Sequence, residues 1–424
     1  MTIKTGLAAL LLIFLCAEAS AKPISLRDAV QEALAFDPAI ERAEARVEQG
    51  QSALDFARAK GGPTLGAQGQ LGLLETDFTA DRITQVPRQI GLRAQWSIYQ
   101  SGAQTAAVEA SRHEAVASEN ALLGTREATV LSTVEAYAQL WLAVRALEVS
   151  TARVETFRLR MRETETLERQ GVATRTDIAL AESRLASAEA AKAGGTATLS
   201  AAKARMSRLT GLSDPQPMSP FSRPLPLPSN YDEALRRAYS SNFDLAAAQS
   251  SRDAASYRVR EARGRYGPKV SLNARATTGE DIYFFFEDPI TDVGATVTVD
   301  VPLFTNGQKS AKARDARAGF SQAEAQVRWV KLEIQESVSG LWNDLTARRE
   351  ALSAAQRAEA AAATAAEGAQ KEYEAGLRTL VESLDAEDAF RTAQVERFRQ
   401  QTLVLLVEAR LLSLSSDLGA ALLP

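Results

Sequence analysis

Cysteine and histidine are almost missing from this 424-residue chain, which has one of each, Cys16 and His113. A lone cysteine excludes an intrachain disulfide. One cysteine and one histidine also leave little for a soft-metal or nucleophilic site. Aromatic residues make up only 6%, which favours closely packed helices over a large globular core. No charge of one sign dominates: Lys+Arg 49 against Asp+Glu 53 leaves −4, so nothing points to a nucleic-acid partner. Long apolar runs are absent as well. The run Leu7 to Phe14 is too short to span a bilayer as a helix, so membrane insertion would have to use strands. Finally, no proline lies between Pro87 and Pro215 or between Pro302 and Pro424.

What is present at the N-terminus reads as a secretory signal over residues 1–21. Lys4 supplies the positive end, Leu7 to Phe14 the apolar core and Ala19-Ser20-Ala21 a small-residue cleavage site. The rival is a lipoprotein signal ending at Cys16, where Leu15 is bulky although lipid attachment wants a small residue. Cleavage after Ala21 leaves a mature chain without cysteine, held by secondary structure and assembly.

The rest is one unit written twice. Pro63 matches Pro268, Gly102 matches Gly307 and Gly171 matches Gly376, each pair 205 residues apart (268 − 63 = 205). Ala29 with Ala234, Tyr99 with Phe304, Tyr137 with Trp342 and Glu182 with Glu387 keep the same offset. The repeats, 22–213 and 231–424, are joined by 214–230, which holds six of the 14 prolines and reads as extended and semi-rigid. Each repeat reads helix, two strands, long helix, break, second helix. The proline-free runs, rich in Ala, Glu, Arg and Gln, predict long helices. Tyr137, Leu140, Val144, Leu147, Val154 and Met161 follow the spacing of a coiled-coil seam, which thins to alanines from Ala358 to Ala366 in the second repeat.

Four segments switch to strict alternation: strands are expected at about 64–75, 88–99, 269–279 and 292–304. Leu65, Leu92, Ala94, Trp96, Leu272, Val293 and Val297 fall on one face. Gln68, Gln89, Arg93, Asn273, Arg275 and Thr296 fall on the other. Each run is about the 9–11 residues that a tilted strand needs to cross a bilayer. A half-buried soluble sheet would show the same alternation. Two hairpins supply four strands, too few to close a barrel, and open edges are not tolerated in hydrocarbon. Two copies would give eight strands with a filled interior. Three would give twelve with an aqueous lumen. Tyr283 to Phe286, at the tip of the second hairpin, reads as an interfacial aromatic belt or an extracellular lid.

This plan resembles the TolC family of outer-membrane efflux proteins over roughly Ile24 to Leu418. The likeness includes the turns Tyr99-Gln100-Ser101-Gly102 and Phe304-Thr305-Asn306-Gly307. It is most specific at the helix-hairpin tips, Gly171 to Asp177 and Tyr373 to Asp385. The resemblance implies a mainly α fold with membrane β: a homotrimeric cylinder with a twelve-stranded barrel in outer-membrane lipid and a long α-helical tunnel across the periplasm. The linker, N-terminal segment and C-terminal tail would form a belt around it. It implies no cofactor and no enzymatic activity. The partners it implies are a periplasmic adaptor and an inner-membrane pump of RND or ABC type, with the trimer as a passive exit duct for efflux or type I secretion. Carried over residue by residue, Glu382 and Asp385 would form an acidic ring at the periplasmic constriction. Asp177, Tyr373 and Arg378 would link the hairpins when closed. Gly171, Val172, Ala173, Gly376 and Leu377 would be the adaptor-docking tips. Glu382 stands where the family pattern has aspartate, and Arg175 adds a second cation to the first tip.

Outside the resemblance, His113 has no second His or Cys to join it, and Gly194-Gly195 lacks a phosphate-loop pattern. The alternative function is a non-conducting structural or adhesive coiled-coil envelope protein. An inner-membrane adaptor would share the helical hairpins but has no use for four amphipathic strands.

Overall fold

The computed structural model describes residues 23–77, 82–219, 225–282 and 288–423. The expected signal segment, Cys16 and the run Tyr283 to Phe286 lie outside these residues. The first repeat holds β1 (Pro23–Ile24), α1 (Leu26–Phe36), α2 (Pro38–Ala59), β2 (Thr64–Leu71), β3 (Leu74–Asp77), β4 (Arg82–Gln85), β5 (Arg88–Tyr99), α3 (Ala103–Arg169) and α4 (Arg175–Thr210). After β6 (Gln216–Pro217), the second holds α5 (Tyr231–Ser241), α6 (Phe243–Gly264), β7 (Lys269–Glu280), β8 (Ile290–Asp300), α7 (Gln308–Glu374), α8 (Leu380–Leu414) and α9 (Leu418–Leu422).

The offset of 205 runs down to single backbone conformations. α3 and α7 both have 67 residues, about 100 Å of helix. The N-caps Ser25, Asp37 and Thr174 recur as Asn230, Asn242 and Thr379. The left-handed residues Ser101 and Gly211 recur as Asn306 and Ser416. Each expected first helix is in fact two. Asp37 and Asn242 adopt extended backbone that ends one helix, and their side-chain oxygens accept the Ala39 and Leu245 N–H groups that start the next.

The four long strands form one antiparallel sheet in the order β2-β5-β7-β8. The boundaries differ from expectation at two places. The chain breaks at 72–73 and resumes as the separate β3–β4 hairpin. β8 stops at Asp300 instead of reaching 304, because its partner β7 begins only at Lys269, directly after Pro268. Each of these strands continues into a helix, and the helices pack in the matching order: α2 on α3, α3 on α6, α6 on α7. Gly264 permits a close approach at the central seam; a Cβ there would sit 2.7 Å from the Ser101 carbonyl oxygen. The protomer is therefore a wall segment, with β2 and α2 along one edge and β8 and α7 along the other.

Among the described residues nothing covers the apolar face of this sheet. Leu65 is 76% and Val293 74% exposed, and Ile90, Leu92, Val297 and Val299 are exposed beside them. A half-buried soluble sheet would have its apolar face shielded. The apolar side chains align across the wall in rows such as Ala67–Leu92–Ala276–Val293.

The main core lies midway along the helices. Ile24, Val30, Val134, Tyr137, Leu140, Met206, Leu412 and Leu418 pack there as one cluster. It gathers the N-terminal segment, the linker and the C-terminal tail around α3. β1 pairs with β6 in parallel, and the Tyr137 hydroxyl lies 2.8 Å from the Ile24 carbonyl and 2.9 Å from that of Met218. Burial pushes the Tyr137 phenol up to about 12, so it stays a neutral donor. Glu127 on α3 accepts the Leu418 N–H at 2.9 Å, holding the tail helix. Tyr137→Phe removes the one hydroxyl proton that these two carbonyls share, while the Ile24 carbonyl keeps the Met218 N–H at 3.1 Å, and is expected to cost about 0.5–1.5 kcal/mol, read as a lowered melting temperature of the detergent-solubilised protein.

Candidate functional site

The helix pairs α3–α4 and α7–α8 turn back at the end of the molecule remote from the sheet. Both turns need a left-handed residue, and Gly171 (φ +77°) and Gly376 (φ +75°) supply it without a Cβ penalty. The Val172 N–H then bonds to the Leu167 carbonyl and the Leu377 N–H to that of Glu372, each at 2.8 Å. This geometry pushes Val172 (71% exposed) and Leu377 (81% exposed) outward, with Ala173 beside the first. The residues expected to be docking tips thus lie on two equivalent turns, with Ala173 half-buried.

The acidic residues divide by role. Asp177 and Glu382 are equivalent across the repeats (382 − 177 = 205), and both close capping boxes with the threonine three residues earlier. The Asp177 carboxylate accepts the Thr174 hydroxyl at 2.8 Å, and Glu382 that of Thr379 at 2.7 Å. Hydrogen bonds from the Thr174 backbone and side chain hold the Asp177 carboxyl below its ordinary range, and those from Thr379 do the same for Glu382. Glu382 is exposed and Asp177 half-buried. Asp385 lies on the Glu382 face of α8 but bonds to Arg184 of α4 at 2.6 Å. One turn on, Asp388 pairs with Arg153 of α3.

Within one copy, Arg378 does not reach Asp177. Its guanidinium pairs with Glu372 at 2.7 Å, so the expected Arg378–Asp177 link is not made inside a chain: the near carboxylate and the capping threonine engage both groups first. Tyr373 packs, half-buried, against the cluster of Val154, Phe157, Ala181, Leu380 and Leu384. Burial, with help from Glu163, raises its phenol above the ordinary range. The two bridges, Arg184–Asp385 and Arg153–Asp388, were not anticipated. Only the charge pattern of α3, α4 and α8 hinted at them, and many charges there are solvated. Arg175 makes no ion pair among the described residues. His113 stacks on Tyr257 with ring centroids 5.3 Å apart. Among the described residues no three His, Cys, Asp or Glu could hold a metal ion, and no helix is long and apolar enough to cross a membrane.

The family model described as outer membrane efflux protein matches residues 29–212 and 234–415. The chain belongs to the outer membrane efflux protein family. The two matched spans begin 205 residues apart, at the repeat offset. BepC of Brucella suis, an outer membrane efflux protein, is 28% identical over 250 residues, 59% of this chain and 55% of BepC. AprF of Pseudomonas aeruginosa, an alkaline protease secretion protein, is 24% identical over 306 residues, 70% of this chain and 63% of AprF. This chain thus spans about half of BepC and less than two thirds of AprF. CyaE of Bordetella pertussis is 25% identical over 401 residues, 91% of this chain and 84% of CyaE. Among solved structures, the outer-membrane channel OprN superposes with a TM-score of 0.80 at 22% identity, covering 93% of this chain and 90% of OprN. The CmeC channel of Campylobacter jejuni gives 0.83 at 16%, covering 93% and 86%. These likenesses carry the fold, a helical barrel segment continuous with a four-stranded β segment. The efflux family is an outer-membrane one with a large helical periplasmic part; BepC is named as an efflux protein, AprF as a secretion protein, and OprN and CmeC as outer-membrane channels.

Proposed function

We propose that three copies close edge to edge into one duct that passively conducts substrate from the periplasm through the outer membrane. It would serve a tripartite efflux pump or a type I secretion system. The observation that carries this reading is the uncovered wall: strands and helices run in the same order, with unpaired edges on both sides. β8 and α7 of one copy face β2 and α2 of the next, a head-to-tail contact that closes on itself as a ring. An exposed strand edge in lipid would leave several backbone groups unpaired at several kcal/mol each. Twelve strands satisfy both edges and leave a lumen.

The hairpin end is the gate. Glu382 and Asp385, repeated around the axis, give the constriction its negative charge, and Tyr373 packs one hairpin on the other. Arg378 and Asp177 would pair only between copies. The tips at Gly171, Val172, Ala173, Gly376 and Leu377 would dock a periplasmic adaptor. The duct has no energy source of its own, so an inner-membrane pump of RND or ABC type would drive export. The secretion name carried by AprF and the efflux name carried by BepC leave both cargo classes in play.

Purified protein is expected to run as a heat-modifiable trimer from the outer-membrane fraction and to carry ion current in planar bilayers. Replacing Tyr373 and Arg378 together should raise single-channel conductance. A water-soluble monomer without current would return the chain to the non-conducting envelope reading.

A further inference from the structure

The polar face of the sheet contains a row that no repeat logic produces. Across the four strands, Gly66 of β2 stands opposite Arg93 of β5, Arg93 opposite Arg275 of β7, and Arg275 opposite Gly294 of β8. Like charges directly opposite one another in a sheet repel, and this row holds no carboxylate. The next row toward the tip, Gln68–Gly91–Thr277–Asp292, supplies one: Asp292 reaches diagonally to Arg275 at 2.9 Å. Arg93 makes no ion pair or side-chain hydrogen bond among the described residues. The row on the other side, Thr64–Gln95–Asn273–Thr296, is neutral. The flanking glycines leave the Arg93 guanidinium open beside the Arg275–Asp292 pair, above a hollow of about 220 Å³ lined by Gln68, Gln70, Gln89, Arg93, Arg275 and Asp292.

This face must point to the lumen, because the opposite face carries the apolar rows. A guanidinium cannot shed its charge and would be costly in lipid. We propose that the Arg93–Arg275 row is a binding site for multivalent oxyanions inside the β-barrel, a positively charged collar through which phosphate- or carboxylate-bearing cargo passes preferentially. The proposal rests on the reading of three copies sharing one barrel. Per copy two arginines face one aspartate, so three copies place six guanidiniums and three Asp292 carboxylates around the lumen. Guanidinium pairs take oxyanions through paired, charge-assisted hydrogen bonds. Water-filled surroundings make each site weak, which suits a conduit that must also release what it binds. The acidic positions Glu382 and Asp385 lie at the far end of the molecule, so the two collars can be probed from opposite sides.

The test uses full-length trimers in planar bilayers, with inositol hexakisphosphate as the probe. Added on the barrel side, it is expected to interrupt the current. The block should weaken as KCl rises and the screening length falls from about 10 Å at 0.1 M to about 3 Å at 1 M. Arg93→Gln and Arg275→Gln should each weaken the block about tenfold. Asp292→Asn, which removes the only carboxylate of the two charged rows, should strengthen it. Because Asp292→Asn moves the effect the other way, a variant that assembles poorly cannot imitate the result. Equal block in wild type and both arginine variants, or block from the hairpin side alone, overturns the site. Trimers that never carry current overturn the shared-barrel reading and the site with it, a failure visible before any probe is added.

Discussion

Leu92→Arg is expected to abolish the outer-membrane trimer, whereas Gln95→Arg, three residues along the same strand, is expected to leave it assembled. Leu92 lies between Ala67 and Ala276 in the apolar row and is 53% exposed in one copy, with no protein over it. In the barrel that exposure is to lipid. Arginine on the lipid face at mid-depth costs about 2–4 kcal/mol per copy, and three copies raise this to about 6–12 kcal/mol. Such a sum is comparable with the whole stability of a folded domain, about 5–15 kcal/mol. Gln95 sits in the neutral lumen row, where a new guanidinium meets water. The check is the heat-modifiable trimer band in outer-membrane fractions of the two variants. An assembled Leu92→Arg beside an absent Gln95→Arg would reverse the two faces and remove the oxyanion site as well.

The second large effect is expected at the hairpins: Arg153→Glu combined with Arg184→Glu should raise single-channel conductance several-fold. Arg184–Asp385 is an exposed pair and Arg153–Asp388 a half-buried one; an exposed pair contributes about 0–1 kcal/mol, so neither bridge alone would hold a gate. The number of copies changes the outcome. Two bridges per chain become six in a trimer, and at about 1 kcal/mol each they supply roughly the 5.5 kcal/mol that turns a 1:99 equilibrium into 99:1. Reversal does more than deletion, because it sets glutamates against Asp385 and Asp388 at bonding distance. The apolar cluster around Phe157, Leu384 and Tyr373 remains and limits the change to a shift between packings. Restoring the sign with Arg184→Glu and Asp385→Arg together should lower conductance again. Unchanged conductance in the double reversal would leave closure to links between copies, of the Arg378–Asp177 kind.

Much of the architecture could be read from residue order. The 205-residue offset marked both repeats, and the structure repeats it in cap residues and left-handed turns. The alternation in β5, β7 and β8 was legible because lipid and water on opposite faces impose a period of two. The split of the first helix was less so. Asp37-Pro38 announces it in one repeat, but Asn242 ends α5 in the other with no proline beside it. At the gate, the tips could be located from Gly171 and Gly376. The partners of the charged residues could not, since capping and short-range pairing took Asp177, Glu382 and Arg378, and nothing in a single helix says which of its many carboxylates will face Arg184.

The sequence by itself determined that the chain is duplicated, that each repeat has long helices and two amphipathic strands, and that one copy cannot close a barrel. These are local periods and a count of strands, and both survive without a partner. Only the tertiary structure decided that β5 pairs with β7 and α3 with α6, so that Arg93 meets Arg275 and Arg184 meets Asp385 across 201 residues. Neither meeting obeys the repeat offset. Each arises where the two repeats are docked on one another, and that docking is set by packing along whole helices and strands rather than by the few residues that it brings together.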